Sequence, residues 1–149
     1  MLIENPVNWS PLMFPIIECF HIAGFVMTIG TIAMVDFRLL GWMMPQETAA
    51  EVAEDTGVWT LTGLILVACS GLLLYSSDPD MYYLNLSFQL KIVCLAAAVV
   101  FHYTIQRKVV ASGASPGMSK VVASVSLGLW AAVLFGGIFI GFVGRGITF

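Results

Sequence analysis

Charged side chains are scarce in this chain. Of its 149 residues, 10% are charged and 59% are hydrophobic, and the mean hydropathy is +0.94. A soluble domain carries far more charge on its surface, so this composition excludes an ordinary soluble protein and predicts one domain immersed in lipid. Lysine and arginine together number only 6 and form no patch, so we expect no nucleic-acid partner.

Cysteine is also rare. Cys19, Cys69 and Cys94 lie in separate apolar segments and form no CxxC pair, so we expect free thiols. The N-terminus has neither the basic region nor the small-residue cleavage site of a removable signal peptide, and we expect the first apolar segment to be retained.

Long apolar runs, in contrast, occur four times. A helix needs about 20 apolar residues to cross a bilayer, and such runs cover residues 12–35, 58–75, 86–105 and 121–143. The connections between them are rich in acids, Ser, Gly and Pro, which cannot stay in hydrocarbon. The sequence therefore predicts an all-α fold, an integral membrane four-helix transmembrane bundle that fills residues 1–149 as a single domain.

The basic residues predict an orientation. The first and third connections share a face, which carries Arg38, Arg107, Lys108 and Lys120, whereas the opposite face has Arg145 and Lys91. Basic loops stay in the cytoplasm. We therefore expect a multi-pass protein of a bacterial inner membrane with both termini in the periplasm.

Small residues indicate where helices approach each other. Gly137 and Gly141 stand in GxxxG spacing in the last segment, and Gly63, Ser70 and Gly71 lie in the second. Such positions allow close backbone contact. They fit packing within the bundle, and they also fit a homo-oligomer or docking into a larger membrane complex.

Four ionisable residues fall inside the predicted helices, namely Glu18, His21, Lys91 and His102. Each costs on the order of 2.5–3.5 kcal/mol in a membrane and needs a reason to be there. Imidazoles on facing helices are good axial ligands for haem iron. A hydrogen bond from each histidine to a neighbouring carbonyl or hydroxyl is the structural alternative.

The other polar residues leave several interpretations open. Glu18 and His21 have the Glu-x-x-His spacing of di-metal bundles, but such a site needs more carboxylates than this chain has. Lys91 can extend to the interface, or its ammonium can pair with a haem propionate or with Glu18. For Asp36 and Arg38 we expect a surface ion pair.

Two of the helices resemble a known superfamily. The resemblance lies in two patterns: His21 followed by Gly30 and Arg38, and Lys91 followed by the triplet Phe101–Tyr103 with its central histidine. Both are similar to patterns in the superfamily that joins the HemJ-type protoporphyrinogen oxidases with the CopD copper-resistance membrane domain. The HemJ pattern has a tryptophan ahead of the first-helix glycine, where this chain has Met27–Ile29. We therefore expect an uncharacterised branch of the superfamily.

The resemblance implies a cofactor. In that superfamily haem b is bound through the first-helix histidine, which implies His21 as the ligand here. Lys91 and Arg38 are implied as supporting residues, and His102 as a second ligand or the partner of a propionate. Counted from the outer helix ends, His21 lies about 15 Å deep and His102 about 22 Å deep. Either helix tilt brings them to one shared haem, or each serves its own.

The leading hypothesis is a haem-b-binding integral membrane protein with a redox or electron-transfer role, with quinone as a candidate electron carrier. One alternative is a cofactor-free accessory or scaffold subunit. Another is metal-ion transport of the CopD kind through Glu18, Cys19 and His21. The sequence holds no complete catalytic constellation, so an enzymatic role stays open.

Overall fold

Four long helices form the bundle in the computed structural model, which describes residues 5–143. The helices are α1 (Met13–Leu40), α2 (Ala49–Ser77), the short α3 (Pro79–Tyr83), α4 (Leu86–Ser112) and α5 (Pro116–Val143). The four long ones are each long and apolar enough to cross a membrane. Helices satisfy their backbone hydrogen bonds internally, as hydrocarbon requires. The predicted all-α four-helix membrane bundle is confirmed for the described residues.

Large apolar side chains cover the outside of this bundle. Leu72 is 71% exposed, Val93 67% and Phe135 56%. Continuous apolar surface of this kind is not tolerated on a soluble monomer. The chain is therefore a multi-pass membrane protein with its outer surface dissolved in lipid.

The first connection is shorter than predicted because both flanking helices are longer. Helix α1 continues to Leu40 and ends at Gly41, whose φ of 79° is the left-handed conformation typical of a helix C-terminus. Helix α2 begins at Ala49 because Thr48 and Glu51 form a capping box, each side chain hydrogen-bonded to the other's backbone N–H. The connection that remains, residues 41–48, marks what we call the inner end of the bundle.

Helices α4 and α5 are also longer than predicted. Helix α4 runs to Ser112 and α5 starts at Pro116, so the inner connection between them is residues 113–115, with Gly113 at a φ of +57°. At the opposite, outer end Asn85 begins α4 by accepting the Ser87 and Phe88 N–H groups. Gly144 and Arg145, the latter used in the orientation argument, lie outside the described residues.

The bundle consists of two helix pairs. Helix α1 packs along α2, α4 packs along α5, and the contact of α1 with α5 joins the pairs. The buried core at this junction draws on all four helices: Phe25, Ile32, Val67, Ala98, Trp130 and Val133. The junction between the pairs is therefore the interior of the molecule, and it also holds the buried polar residues.

Glycines set the closest approach, between α1 and α2. A Cβ on Gly63 would lie 2.5 Å from Thr28 Oγ1 and 2.8 Å from the Gly24 carbonyl oxygen. The backbones touch at this point, as small residues in membrane helices permit. A Cβ on Gly141, in contrast, would meet no atom within 4 Å, so the GxxxG pair of α5 is not buried as a unit within the described bundle.

Replacing Gly63 by alanine is expected to destabilise the bundle by about 1–3 kcal/mol, because the added methyl group must push α1 away from α2. The measurement is unfolding in a titration of SDS against a stabilising detergent. Gly30→Ala is the matched control, because the space beside Gly30 is open to 4 Å. Equal stability of the two variants would contradict the close approach.

Candidate functional site

His21 lies on α1 near the outer end, and its hydrogen bonds define its tautomer. Nδ1 is 2.9 Å from Ser70 Oγ, and the Ser70 hydroxyl donates its own proton to the Leu66 carbonyl on α2. Ser70 Oγ must therefore accept from Nδ1–H, so Nδ1 of His21 carries the proton. The lone pair of the ring is then on Nε2, which faces α4.

Lys91 of α4 approaches that lone pair. Its Nζ lies 3.4 Å from His21 Nε2 and 4.8 Å from the centroid of the Phe25 ring. An ammonium donates to an imidazole lone pair and is attracted to an aromatic face. We call Ser70, His21 and Lys91 the outer cluster. The resemblance had implied His21 and Lys91 as one site, and the structure brings them together.

Three glycines make room for the outer cluster. A Cβ on Gly71 would lie 3.1 Å from His21 Cε1, one on Gly136 would lie 3.2 Å from Lys91 Cβ, and one on Gly137 would lie 3.3 Å from Lys91 Nζ. These distances are shorter than ordinary van der Waals contact. Helices α2 and α5 therefore present backbone, not side chains, to the histidine and the lysine.

His102 belongs to a second polar group, near the inner end. Its Nδ1 is hydrogen-bonded to Gln106 Oε1, and Gln106 Nε2 donates to Asp36 Oδ1 on α1. His102 Nδ1 thus carries a proton in this arrangement, as His21 Nδ1 does. We call Asp36, Gln106 and His102 the inner cluster. Gln106 and Asp36 are only 1% and 0% exposed.

The inner cluster coincides with a distortion of α4. Residues His102–Gln106 form a π-helical turn, in which the Arg107 N–H bonds to the His102 carbonyl five residues back. Single π-turns within α-helices are frequent at functional sites. Here the turn carries both α4 members of the inner cluster.

A small cavity adjoins the inner cluster, with a volume of about 30 Å³. His102 and Gln106 line it from α4, and Thr56 and Thr60 line it from α2. A space of this size is large enough to hold water. It can hold water beside the imidazole, but it is far too small for a porphyrin.

The two clusters lie at different depths. Lys91, which contacts His21, and His102 are eleven residues apart on α4, which is a rise of about 16 Å. Ligands on opposite faces of one haem must share a level. One haem shared by His21 and His102 therefore does not fit this bundle.

Arg38 belongs to neither cluster. Its Nε donates to the Glu47 carbonyl of the inner connection. The expected surface ion pair between Asp36 and Arg38 is wrong, because Asp36 turns into the core to meet Gln106 while Arg38 stays at the surface of the same helix end. The supporting role that the resemblance implied for Arg38 finds no contact with His21 or Lys91.

Glu18 is exposed, and the polar contact of the Lys91 ammonium is with His21. Burial raises the pKa of the Tyr82 phenol in α3, and the nearby carboxylates of Glu18 and Asp78 raise it further. Within residues 5–143 no group of three or more His, Cys, Asp or Glu side chains comes together as a metal site would require. The Glu-x-x-His spacing thus gathers no metal cluster in this part of the chain.

Sequence reasoning missed Gln106 and also Ser126 of α5, which lies near the Asp36 carboxyl. The available signal was the spacing of His102 and Gln106, four residues apart and so on one helix face. Ser126 on α5 was hidden among other small residues of an apolar helix, where serine is ordinary packing material.

The family is shown by comparison of the sequence with family models. Residues 13–143 match the model described as "Family of unknown function (DUF6644)". The chain belongs to this family. No curated protein and no solved structure matches it.

Membership in DUF6644 supplies no function, but the matched range includes both polar clusters and all four long helices. In this chain the buried ionisable groups of the bundle are concentrated at two levels. The outer cluster presents a histidine lone pair, and the inner cluster presents a buried carboxyl group.

Proposed function

We propose that this protein is a haem-b-binding membrane protein with a redox role, in which Nε2 of His21 is the iron ligand. The observation that carries the proposal is the tautomer of His21. Ligating histidines donate their second ring N–H to a fixed partner, which orients the ring and leaves the other nitrogen for the metal. Ser70 is that partner here.

The residues around His21 fit such a ligand. Lys91 lies against Nε2 and can pair with a haem propionate, provided that its ammonium gives up the contact with the imidazole. Its flexible stem makes this exchange feasible. The glycines of α2 and α5 pack tightly against both residues, so a haem at His21 requires these helices to move apart.

His102 does not fit a haem in the same way. Its depth excludes it as a second ligand of a haem bound at His21. We therefore assign the cofactor to the outer cluster alone.

A bound haem would supply one-electron chemistry, and the helices would supply the ligand, the low dielectric and a partner for the propionates. The carrier that we propose for the electrons is quinone, because it is dissolved in the same bilayer as the bundle. The resemblance to HemJ and CopD membrane domains supports this role but does not specify a reaction.

The proposal predicts a b-type pigment. Protein made in cells supplied with haem precursors and purified in mild detergent should show a Soret band, and its reduced spectrum should show b-type peaks. His21→Ala should lower the haem content per chain at least tenfold.

His102→Ala should leave the haem content within twofold of the parent, because this histidine lies at another level. Ser70→Ala should weaken haem binding by about 10–100-fold, the usual effect of removing the partner of a ligating histidine.

Size-exclusion profiles provide the control for folding of these variants. A folded parent protein that is colourless and takes up no added haem would overturn the proposal and favour a cofactor-free membrane subunit. Retention of stoichiometric haem by folded His21→Ala would overturn the ligand assignment.

We further propose that the inner end faces the cytoplasm of a bacterial inner membrane. Arg38, Arg107, Lys108 and Lys120 all lie at or near this end, and positive residues are retained on the cytoplasmic side. The N-terminal segment, which hydrogen-bonds to the outer end of α2 through Asn5 and Asn8, then lies in the periplasm.

Thiol labelling tests this orientation. In a variant whose three cysteines are replaced by serine, Asp80→Cys at the outer end should react with a membrane-impermeant maleimide in cells with a permeabilised outer membrane. Gln46→Cys in the inner connection should react only after the inner membrane is opened. Both positions are exposed. The reverse pattern would contradict the assignment.

A further inference from the structure

Asp36 is the most deeply buried ionisable group among the described residues, and one of its oxygens lacks a partner. Its exposure is 0%. Oδ1 accepts from the Gln106 amide, but Oδ2 makes no hydrogen bond. An aspartate inside a membrane helix is costly, and such residues mark ion paths and proton relays.

A second unpartnered group lies beside it. The hydroxyl of Ser126 on α5 is 1% exposed and has no hydrogen-bond partner within the described bundle, although it lies near enough to the Asp36 carboxyl to affect its charge. Buried polar atoms without partners are rare in native proteins and call for an explanation. Two of them face each other here.

One proton bound to Asp36 accounts for both unpartnered groups. When Asp36 is protonated on Oδ2, the new O–H can donate to Ser126 Oγ. When Asp36 is ionised, the Ser126 hydroxyl can rotate and donate to the carboxylate. Either bond requires the two groups to come closer than they lie in this structure. The site can thus satisfy both protonation states, as a group that exchanges a proton must.

The other groups around the carboxyl group do not fix its charge. The Gln106 amide is neutral, and helix α2 contributes the hydroxyls of Thr56 and Thr60 to the adjoining cavity. The Arg107 guanidinium at this end lies over the Tyr103 ring, 5.4 Å from its centroid. Arg38 is engaged with the Glu47 carbonyl. Neither guanidinium forms an ion pair with Asp36.

The inner cluster also places Asp36 one side chain away from the cavity, because Gln106 both lines the cavity and donates to the carboxyl group. His102 lies on the other side of the Gln106 amide and lines the cavity at the inner end, together with Arg107 and Tyr103. Water in that cavity can exchange protons with the imidazole. Gln106 is hydrogen-bonded to both the imidazole and the carboxyl group, and so fixes their relative positions. The outer cluster, about 22 Å away along α1 from Asp36 to His21, has no such connection to the inner end.

We propose that Asp36 and Ser126 form a proton-binding site inside the bundle, which exchanges one proton with the aqueous phase at the inner end through the cavity beside His102. The step is the formation and breaking of one O–H bond on Asp36, with water as the source and acceptor of the proton. The site does not depend on a cofactor at the outer cluster.

Infrared spectroscopy of the full chain in lipid bilayers tests the proposal. The chain has four aspartates, and the other three, Asp55, Asp78 and Asp80, are exposed. Labelling aspartate at the side-chain carboxyl carbon with ¹³C therefore separates Asp36 from the glutamates. We expect a label-sensitive C=O band of a protonated acid in apolar surroundings, which disappears reversibly as the pH is raised. Asp36→Asn should lose the band, and the matched control Asp55→Asn should keep it.

Ser126→Ala provides a second readout that does not require removal of the carboxyl group. It should shift the C=O band to higher frequency, because the acid loses its hydrogen-bond acceptor. In liposomes of known orientation, only a pH change on the inner side should titrate the band quickly. A band that survives in Asp36→Asn, that does not respond to pH, or that is unmoved in Ser126→Ala would overturn the proposal.

Discussion

The contact between His21 and Lys91 joins α1 to α4 at a level of the bundle where α2 and α5 also pack closely. The lysine comes from α4 with its backbone against Gly136 of α5, and the histidine comes from α1 with its ring against Gly71 and Ser70 of α2. In lipid there is no hydrophobic force between helices, so tight packing and interhelical hydrogen bonds must hold them together. The outer cluster supplies both at a single level of the bundle.

The inner cluster repeats this plan with different chemistry. It joins α1 to α4 through a carboxyl group, an amide and an imidazole, and it reaches α5 through Ser126. In both clusters the Nδ1 of a histidine is hydrogen-bonded to a neighbouring side chain, which leaves the lone pair of the ring on Nε2. They differ in that the outer histidine faces a cation, whereas the inner one faces a small cavity that can hold water. This difference is the reason for assigning ligand chemistry to one and proton chemistry to the other.

Hydropathy alone predicted the four helices and their order, because only long apolar helices can satisfy the backbone in hydrocarbon. It misplaced their inner ends, because polar turns such as Ala49–Gly57 continue α2 outside the apolar run under the control of the Thr48 capping box. Hydropathy predicts which residues lie in the hydrocarbon, whereas the capping box determines where helix α2 begins.

The site was predictable in part. Composition singled out His21, Lys91 and His102 as polar residues in an apolar setting, and only the resemblance joined the first two. The role of Asp36 was misjudged, because a position two residues from Arg38 and near a helix end suggests a surface. The rotation of α1 decides otherwise: Asp36 stands four residues after the fully buried Ile32 and shares its face. Spacing to a core residue was the better guide than distance from the helix end.

The central claim, that the His21 lone pair is on Nε2 and faces the interior, can be measured directly. In a His102→Gln variant His21 is the only histidine left, so solid-state NMR of the ¹⁵N-histidine-labelled protein in bilayers reports on this ring alone. The structure predicts a protonated Nδ1 and an Nε2 without a proton, whether that nitrogen meets Lys91 or a metal. A proton on Nε2 with a bare Nδ1 would contradict the account.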